Sequence, residues 1–181
     1  MIKPLRLAEK RLRQAGWDGL QPAVVVLGAQ QRLHLLGSTP RGKKRGWPVS
    51  TGKAGFGNQQ ESGRTPTGLH RICALIGDNA PLGTVFKGRQ PTGQVVAESD
   101  DPNQDFITTR ILWLEGLEAG VNQGPGVDTR ERYIYIHGTP DTARLGQPAS
   151  AGCVRMRGSH VMKLFQLVRP GTLTLILPAS P

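Results

Sequence analysis

Short apolar runs, separated by glycine and proline, follow one another along most of the chain. Runs of this length, rich in β-branched and aromatic residues, are typical of β-strands. They predict strands at residues 23–27, 32–36, 47–50, 69–76, 84–87, 106–114, 132–137 and 172–177. The Gln30-Gln31 step predicts a hairpin between the first two strands. Because Pro48 has no backbone N–H, we expect its strand to lie at a sheet edge.

Two segments instead have apolar residues at helical spacing. Residues 4–15 predict a short amphipathic helix, and residues 159–168 predict a second helix with Ser159 as its N-cap. The polar stretch at residues 88–105 is interpreted as a surface excursion. The expected fold is mainly β (β-rich α+β), with antiparallel sheets or a β-sandwich and a few short helices.

The length of 181 residues is typical of one domain. We assign residues 1–22 to an N-terminal helix and lead-in, and residues 23–178 to the main domain, which contains the candidate chemistry described below. No apolar stretch is long enough for a signal peptide or a membrane span. We therefore expect a cytoplasmic protein without stable membrane association. The two cysteines, Cys73 and Cys153, fit a reducing compartment.

The net charge of +10 raises the question of a polyanionic partner. Nucleic-acid binding requires focused charge, with aromatic residues interleaved among lysine and arginine. The most basic stretch, residues 41–45, is short and interrupted by glycine, and aromatic residues make up only 5% of the chain. We therefore expect no nucleic-acid partner. The sequence leaves the oligomeric state open.

The candidate chemistry lies between residues 133 and 156. A predicted strand ends at His137 and Gly138, and a polar loop leads from there to Cys153. Cysteine is a strong nucleophile, but with an ordinary pKa of about 8.5 it needs a base to become a thiolate at pH 7. A neighbouring imidazole can accept that proton and leave a thiolate–imidazolium pair.

Small residues precede the cysteine in this segment. The backbone N–H groups of Ala151, Gly152 and Cys153 could form an oxyanion hole, and Arg155 could pair with a substrate carboxylate. On the residues alone, a cysteine beside glycine is more often a small buried apolar residue than a nucleophile, and a histidine at a strand end is often only a satisfied polar group. Both interpretations stay open at this point.

The segment resembles the signature of the L,D-transpeptidase catalytic domain, also called the YkuD domain. In that family a His-Gly or His-Ser pair precedes a Ser/Thr-His-Gly-Cys block, with Asn or Arg two residues after the cysteine. His137-Gly138 and residues 150–156 match this signature in order and spacing. Residues 48–53 and 64–68 are similar to the upstream blocks of the family. The resemblance extends over residues 23–177.

The resemblance implies a role for each matching residue. Cys153 would be the nucleophile, His137 the base, and Gly138 would orient His137 through its backbone carbonyl. Ser150 and Arg155 would contact the substrate. The family cleaves the bond between a diamino acid and the terminal D-alanine of a peptidoglycan stem peptide, and water or an amine resolves the acyl-enzyme. The implied partner is a stem peptide or muropeptide, and no cofactor is expected.

One departure from the family pattern affects this expectation, because Ala151 stands where the family usually has histidine. With water as acceptor, the protein would be a cytoplasmic L,D-carboxypeptidase that acts in peptidoglycan recycling, which we favour. An exported protein would instead be a cross-linking transpeptidase. The loss of the histidine also allows a weakly active or non-catalytic peptidoglycan-binding module.

The candidate zinc ligands in the sequence are His70, Cys73, His137 and Cys153. The spacing of His70 and Cys73 is compatible with a metal site. Both residues lie in one predicted strand, where positions three apart point to opposite faces. We therefore expect no metal, and we interpret Cys73 as a core residue.

Overall fold

The computed structural model describes residues 3–37, 45–99 and 105–178. Residues 41–44 of the basic stretch and residues 100–104 of the expected surface excursion lie outside the described residues. The helices are α1 (Lys3–Gln14) and α2 (Gly158–Phe165). The strands are β1 (Ala23–Leu27), β2 (Arg32–Leu36), β3 (Arg45–Ser50), β4 (Gly68–Ile76), β5 (Thr84–Lys87), β6 (Gln90–Val95), β7 (Ile107–Gly116), β8 (Tyr135–Thr139), β9 (Val154–Arg157) and β10 (Leu173–Leu177).

The strands form a single sheet in the order β4-β10-β1-β2-β3-β9-β8-β7-β5-β6. An additional pairing of β4 with β7 closes the first eight strands of this order on themselves, and the β5–β6 hairpin extends from β7. The pairs β1–β10 and β8–β9 are parallel, and the other pairs are antiparallel. The expected mainly β fold with a few helices is confirmed. Among the described strands, closure leaves few free edges, because the β5–β6 hairpin alone extends beyond the ring.

Alternate residues of the closed sheet fill its core together with one side of α2. This core includes Val24, Leu33, Ile72, Leu112, Ile136, Val154, Met156, Val161 and Leu164. On the outside of β1 and β10, a second apolar cluster receives Leu5, Ala8 and Leu12 of α1. The amphipathic pattern of α1 is thereby explained, because its apolar side covers the sheet. Among the described residues, no helix is long and apolar enough to cross a membrane.

Several predicted strands have the expected bounds, and others differ. β1, β2 and β5 occupy the predicted residues, and β1 and β2 form the expected hairpin around a short 3₁₀ turn. The predicted edge position of Pro48 is wrong, because β3 lies between β2 and β9. Proline is tolerated there because β9 pairs only with Val49 and Ser50, beyond Pro48.

Two strands and both ends of one helix were not predicted correctly. β6 lies inside the stretch that was interpreted as a surface excursion, and all of its residues are exposed. β9 was not predicted at all. α2 begins at Gly158, with Arg157 at the N-cap position and no side-chain cap, so the predicted N-cap role of Ser159 is wrong. The helix also ends at Phe165, before the predicted residue 168.

Candidate active site

The candidate site lies on the outer face of the parallel strands β8 and β9. Their register pairs Ile136 with Val154 and His137 with Arg155. Successive residues of a strand point to opposite faces, and paired residues share a face. One face therefore enters the core, and the other carries the polar side chains Tyr135, His137, Cys153 and Arg155. The expected histidine and cysteine thus share a face of adjacent strands.

Cys153 lies immediately before β9, with its thiol between two backbone groups of the segment that leads into β8. The Tyr135 N–H donates to Sγ at 3.4 Å, and Sγ lies 3.6 Å from the Tyr133 carbonyl oxygen, to which it donates. Burial raises the pKa of Cys153 to about 11, although Arg132 and Arg155 nearby favour the thiolate. The resting thiol is therefore protonated at neutral pH.

His137 is buried in β8, with 3% of its surface exposed. Its Nδ1 lies 2.8 Å from the Gly138 carbonyl oxygen, so Nδ1 carries the proton in the neutral ring and donates it. Burial lowers the pKa of His137 to about 4. At neutral pH the imidazole is uncharged, and its Nε2 has a free lone pair. This is the protonation state that a general base requires.

The two side chains are diagonal neighbours. Cys153 precedes Val154, the partner of Ile136, so His137 lies two positions along β8 from the residue opposite Cys153. Within the part of the chain that the structure describes, no hydrogen bond joins the two side chains. Such contacts are often long before substrate binds. The expected resting thiolate–imidazolium pair is not formed here, because burial favours both neutral groups.

The loop before Cys153 is fixed by hydrogen bonds of Ser150. Its hydroxyl donates to the Cys153 carbonyl at 2.6 Å and accepts from the Gly152 N–H at 3.1 Å. Gly152 has a φ of +128°, which a side chain would disfavour. The expected substrate contact of Ser150 is therefore revised, because its hydroxyl is engaged within the loop.

The same contacts bear on the expected oxyanion hole. The Gly152 N–H is occupied by the Ser150 hydroxyl. Over the described ranges, the backbone N–H groups of Ala151 and Cys153 have no protein acceptor. These two groups, and not all three, are free to face a developing oxyanion.

The structure revises the expectation for Arg155. This side chain is 1% exposed, and its Nη1 lies 2.6 Å from Asp105 Oδ1 and 3.5 Å from Asp141 Oδ2. Its Nη2 donates to the Ser50 hydroxyl at 3.3 Å. A buried guanidinium that is already paired with two carboxylates cannot also present itself to a substrate carboxylate. Arg155 therefore has a structural role, because it links β9 to Asp105, Asp141 and Ser50.

The sequence did not reveal a cluster of aromatic and arginine side chains beside Cys153. Arg89, at the turn between β5 and β6, lies over the rings of Trp113 and Tyr133 and contacts the Tyr135 hydroxyl. Arg89 is distant in sequence from the signature, so no spacing argument could connect it. The only local signal was its position in a Gly-Arg turn.

The candidate zinc ligands have other surroundings in the described part of the chain. His70 is buried between the Gly68 carbonyl and the Thr129 hydroxyl, and burial lowers its pKa to about 4. Among the described residues, no group of three or more potential metal ligands is found. Cys73 lies at a bulge of β4 and is half-buried, so its interpretation as a core residue is wrong.

Fold and site together define a closed β-sheet protein with a cysteine and a histidine on the outer face of adjacent parallel strands. The family model of the L,D-transpeptidase catalytic domain (YkuD) matches residues 21–176. The chain belongs to this family. The match covers the closed sheet and the candidate site but not α1.

Solved structures share the fold at low sequence identity. An L,D-transpeptidase 3 from Mycobacterium tuberculosis is 16% identical, with a TM-score of 0.50 over 86% of this chain and 61% of that chain. A Bdellovibrio bacteriovorus protein is 17% identical, with a TM-score of 0.51 over 88% of this chain and 48% of that chain. The chain thus spans about half to three fifths of the length of these structures. A search of curated proteins gives no significant match.

Proposed function

We propose that the protein is a cysteine acyltransferase that acts on peptidoglycan stem peptides and hydrolyses the bond between the diamino acid and the terminal D-alanine. The observation that carries this proposal is the placement of Cys153 and His137 on one face of β8 and β9, with His137 Nδ1 bonded to the Gly138 carbonyl. That bond directs Nε2, the proton-accepting atom, away from the strand backbone. Family membership supports the same chemistry.

In the proposed reaction, Cys153 Sγ attacks the carbonyl carbon of the diamino acid while its proton passes to His137 Nε2. The N–H groups of Ala151 and Cys153 stabilise the tetrahedral oxyanion. Collapse of this intermediate breaks the amide bond, and His137 returns the proton to the departing D-alanine amine. Water then attacks the thioester with His137 as base, which releases the tripeptide and restores the thiol.

The neutral resting pair determines when the thiol becomes reactive. Burial raises the pKa of Cys153 and lowers that of His137, so proton transfer before attack is unfavourable. Transfer that is concerted with attack avoids a free thiolate, because negative charge moves directly to the carbonyl oxygen. We expect a nucleophile that reacts slowly with small electrophiles and faster with a substrate that is bound in place.

We further propose a cytoplasmic setting, in which recycled muropeptides are the substrate and water is the acceptor. Cys73 and Cys153 are both free thiols, which fits a reducing compartment. The expected products are free D-alanine and a disaccharide tripeptide. Chromatography with mass spectrometry, after incubation with a disaccharide tetrapeptide, distinguishes these products from a cross-linked dimer, which would instead identify a transpeptidase.

A second candidate function is a peptidoglycan-binding module with little or no activity. It is favoured by the protonated resting thiol and by Ala151, which is exposed beside the nucleophile. An Ala151→His variant separates the two. Activity that appears only in this variant would identify the natural chain as a module. Activity of the unchanged chain, lost in Cys153→Ala, would exclude that function.

A further inference from the structure

Arg89 lies among three aromatic rings beside the candidate nucleophile. Its guanidinium carbon is 4.6 Å from the centroid of the Trp113 ring and 5.1 Å from that of Tyr133. Its Nη1 donates to the Tyr135 hydroxyl at 3.2 Å. The backbone N–H of the same tyrosine donates to Cys153 Sγ. A single tyrosine therefore connects the guanidinium with the thiol.

The backbone at this position is unusual for arginine. Lys87 pairs with Gln90, so Gly88 and Arg89 form a two-residue hairpin turn, with φ values of +55° and +67°. Turns with both central residues at positive φ favour glycine, asparagine or aspartate. Tyr133, which stacks on Arg89, also has a positive φ of +55°. Such strained residues cluster at binding and catalytic sites.

Arg89 differs in its partners from three other arginines. Arg155 and Arg157 are each paired with a carboxylate. Arg132, which lies near Cys153, donates to the backbone carbonyls of Gly57, Asn58 and Arg64. No carboxylate of the described residues pairs with Arg89, which is half-buried. Its contact with Tyr135 uses one N–H, and an arginine has five. The remaining donors are free for a ligand, and a planar guanidinium suits a carboxylate.

We propose that Arg89 determines specificity by binding the terminal carboxylate of the departing D-amino acid. This inference rests on the proposed function. The ligand group must lie close to the scissile carbonyl, because one residue, Tyr135, contacts the guanidinium through its hydroxyl and the thiol through its backbone N–H. The terminal carboxylate of a stem tetrapeptide is one residue from that carbonyl. Arg89 thereby takes the role that Arg155, buried and paired, cannot perform.

The competing explanation is that Arg89 only holds the β5–β6 hairpin against Trp113 and Tyr135. If Arg89 has only this structural role, its replacement should change the reaction rates of charged and neutral reagents equally. If it is a carboxylate site, its replacement should slow the anionic reagents more. Two variants test the difference. Arg89→Gln removes the charge, and Arg89→Lys retains it without the planar fork. Lys87→Gln is the matched control, because Lys87 is exposed on the same hairpin and its replacement changes the net charge equally.

The first measurement does not depend on the proposed substrate. Alkylation of Cys153 by iodoacetate and by iodoacetamide is followed at low ionic strength by peptide mapping, which separates Cys153 from Cys73. We expect the iodoacetate-to-iodoacetamide rate ratio to fall about fourfold in Arg89→Gln, from the loss of one nearby charge. The ratio should stay near the original value in Arg89→Lys and Lys87→Gln. An unchanged ratio in Arg89→Gln would overturn the anion site.

The second measurement compares a tetrapeptide with a free terminal carboxylate and its terminal amide. The unchanged protein should cleave the acid at least about tenfold more efficiently, mainly through KM, and Arg89→Gln should lose this preference. Equal slowing of both substrates in Arg89→Gln would show that Arg89 has only a structural role and would refute the inference. If the chain cleaves neither substrate, the proposed function fails, while the alkylation ratio still decides whether an anion site exists.

Discussion

The two faces of strands β8 and β9 differ in the side chains that they require, although both are built from the same short segments. The inner face is apolar and enclosed by the closed sheet and α2. The outer face carries the candidate chemistry, and its Tyr135 and Cys153 pack beside Phe86, Ile111 and Trp113. The inner residues are Ile136, Val154 and Met156, with Ile134 just before β8, and the outer ones are Tyr135, His137 and Arg155, with Cys153 just before β9. Neighbouring residues in the chain therefore serve different purposes.

This difference shows how a rigid site is built from two short strands. Burial of the inner face fixes the register, because a one-residue slip would move every apolar side chain outward. Once the register is fixed, the distance between Cys153 and His137 follows from strand spacing. The inner face can accept other apolar residues of similar volume, whereas the outer face requires particular functional groups. Substitutions on the two faces should therefore have separable effects.

The largest effect is expected at the outer face for His137→Gln. The rate of D-alanine release should fall about 10³-fold, which is equivalent to about 4 kcal/mol, because the base is lost. The free energy of unfolding should change much less. His34→Gln on β2 is the control and should retain nearly full activity in the same assay. An equal loss in both variants would contradict the assigned role of His137.

A smaller effect, on stability and not on chemistry, is expected at the inner face for Ile136→Ala. Ile136 is fully buried, so the variant should lose about 3 kcal/mol of unfolding free energy in urea titrations. The fraction that remains folded should cleave substrate at a nearly normal rate. A variant that stays stable but inactive would show that the faces are not separable.

Acid should destabilise the fold through its two buried histidines. Burial lowers the pKa of both His70 and His137 to about 4, whereas the unfolded value is about 6.5. Below pH 6.5 the unfolded state therefore binds more protons, and this contribution to stability is lost as the pH falls towards 4. From pH 7 to pH 5, each histidine should lower the unfolding free energy by about 2 kcal/mol.

Urea unfolding over this pH range tests the acid effect. The fall should be smaller in His137→Gln, which retains only the contribution of His70 among these two residues. A fall of the same size in that variant would mean that His137 is already protonated in the native state near pH 6. It would then be unable to act as the proposed neutral base.

The smallest effect is expected for Tyr135→Phe, the outer neighbour of Ile136. The change removes only the hydroxyl that accepts from Arg89, so unfolding free energy should fall by less than about 1 kcal/mol. Urea titration beside Ile136→Ala makes the comparison direct. Similar losses in the two variants would indicate that the outer ring, and not the inner face, holds β8 in place.

The sequence predicted the strands well where apolar patterning was strong and poorly where another contact shaped them. β1 is apolar and has the expected bounds. β6 is polar, contains Pro91 and Gly93, and is held by pairing with β5 alone. β8 starts later than predicted because Tyr133 adopts a positive φ before it. β9 is only four residues long and is followed at once by α2, so no periodicity could develop.

The candidate site could be located from the sequence, but its electrostatics could not. The signature identified Cys153 and His137 because catalytic spacing is local. The partners of Arg155 are Asp105 and Asp141, which are brought to it by separate loops. No spacing rule reveals such pairs, so Arg155 was expected to face the substrate. The high pKa of Cys153 likewise arises from burial that only the folded chain creates.

The central claim is that Cys153 carries the acyl group, and intact-mass spectrometry tests it most directly. The protein is mixed with disaccharide tetrapeptide, quenched in acid during turnover and weighed, with Cys153→Ala and Cys73→Ala as paired controls. We predict an adduct equal to the disaccharide tripeptide less one water, retained in Cys73→Ala and absent in Cys153→Ala. D-alanine release without such an adduct, or release that persists in Cys153→Ala, would contradict the covalent mechanism.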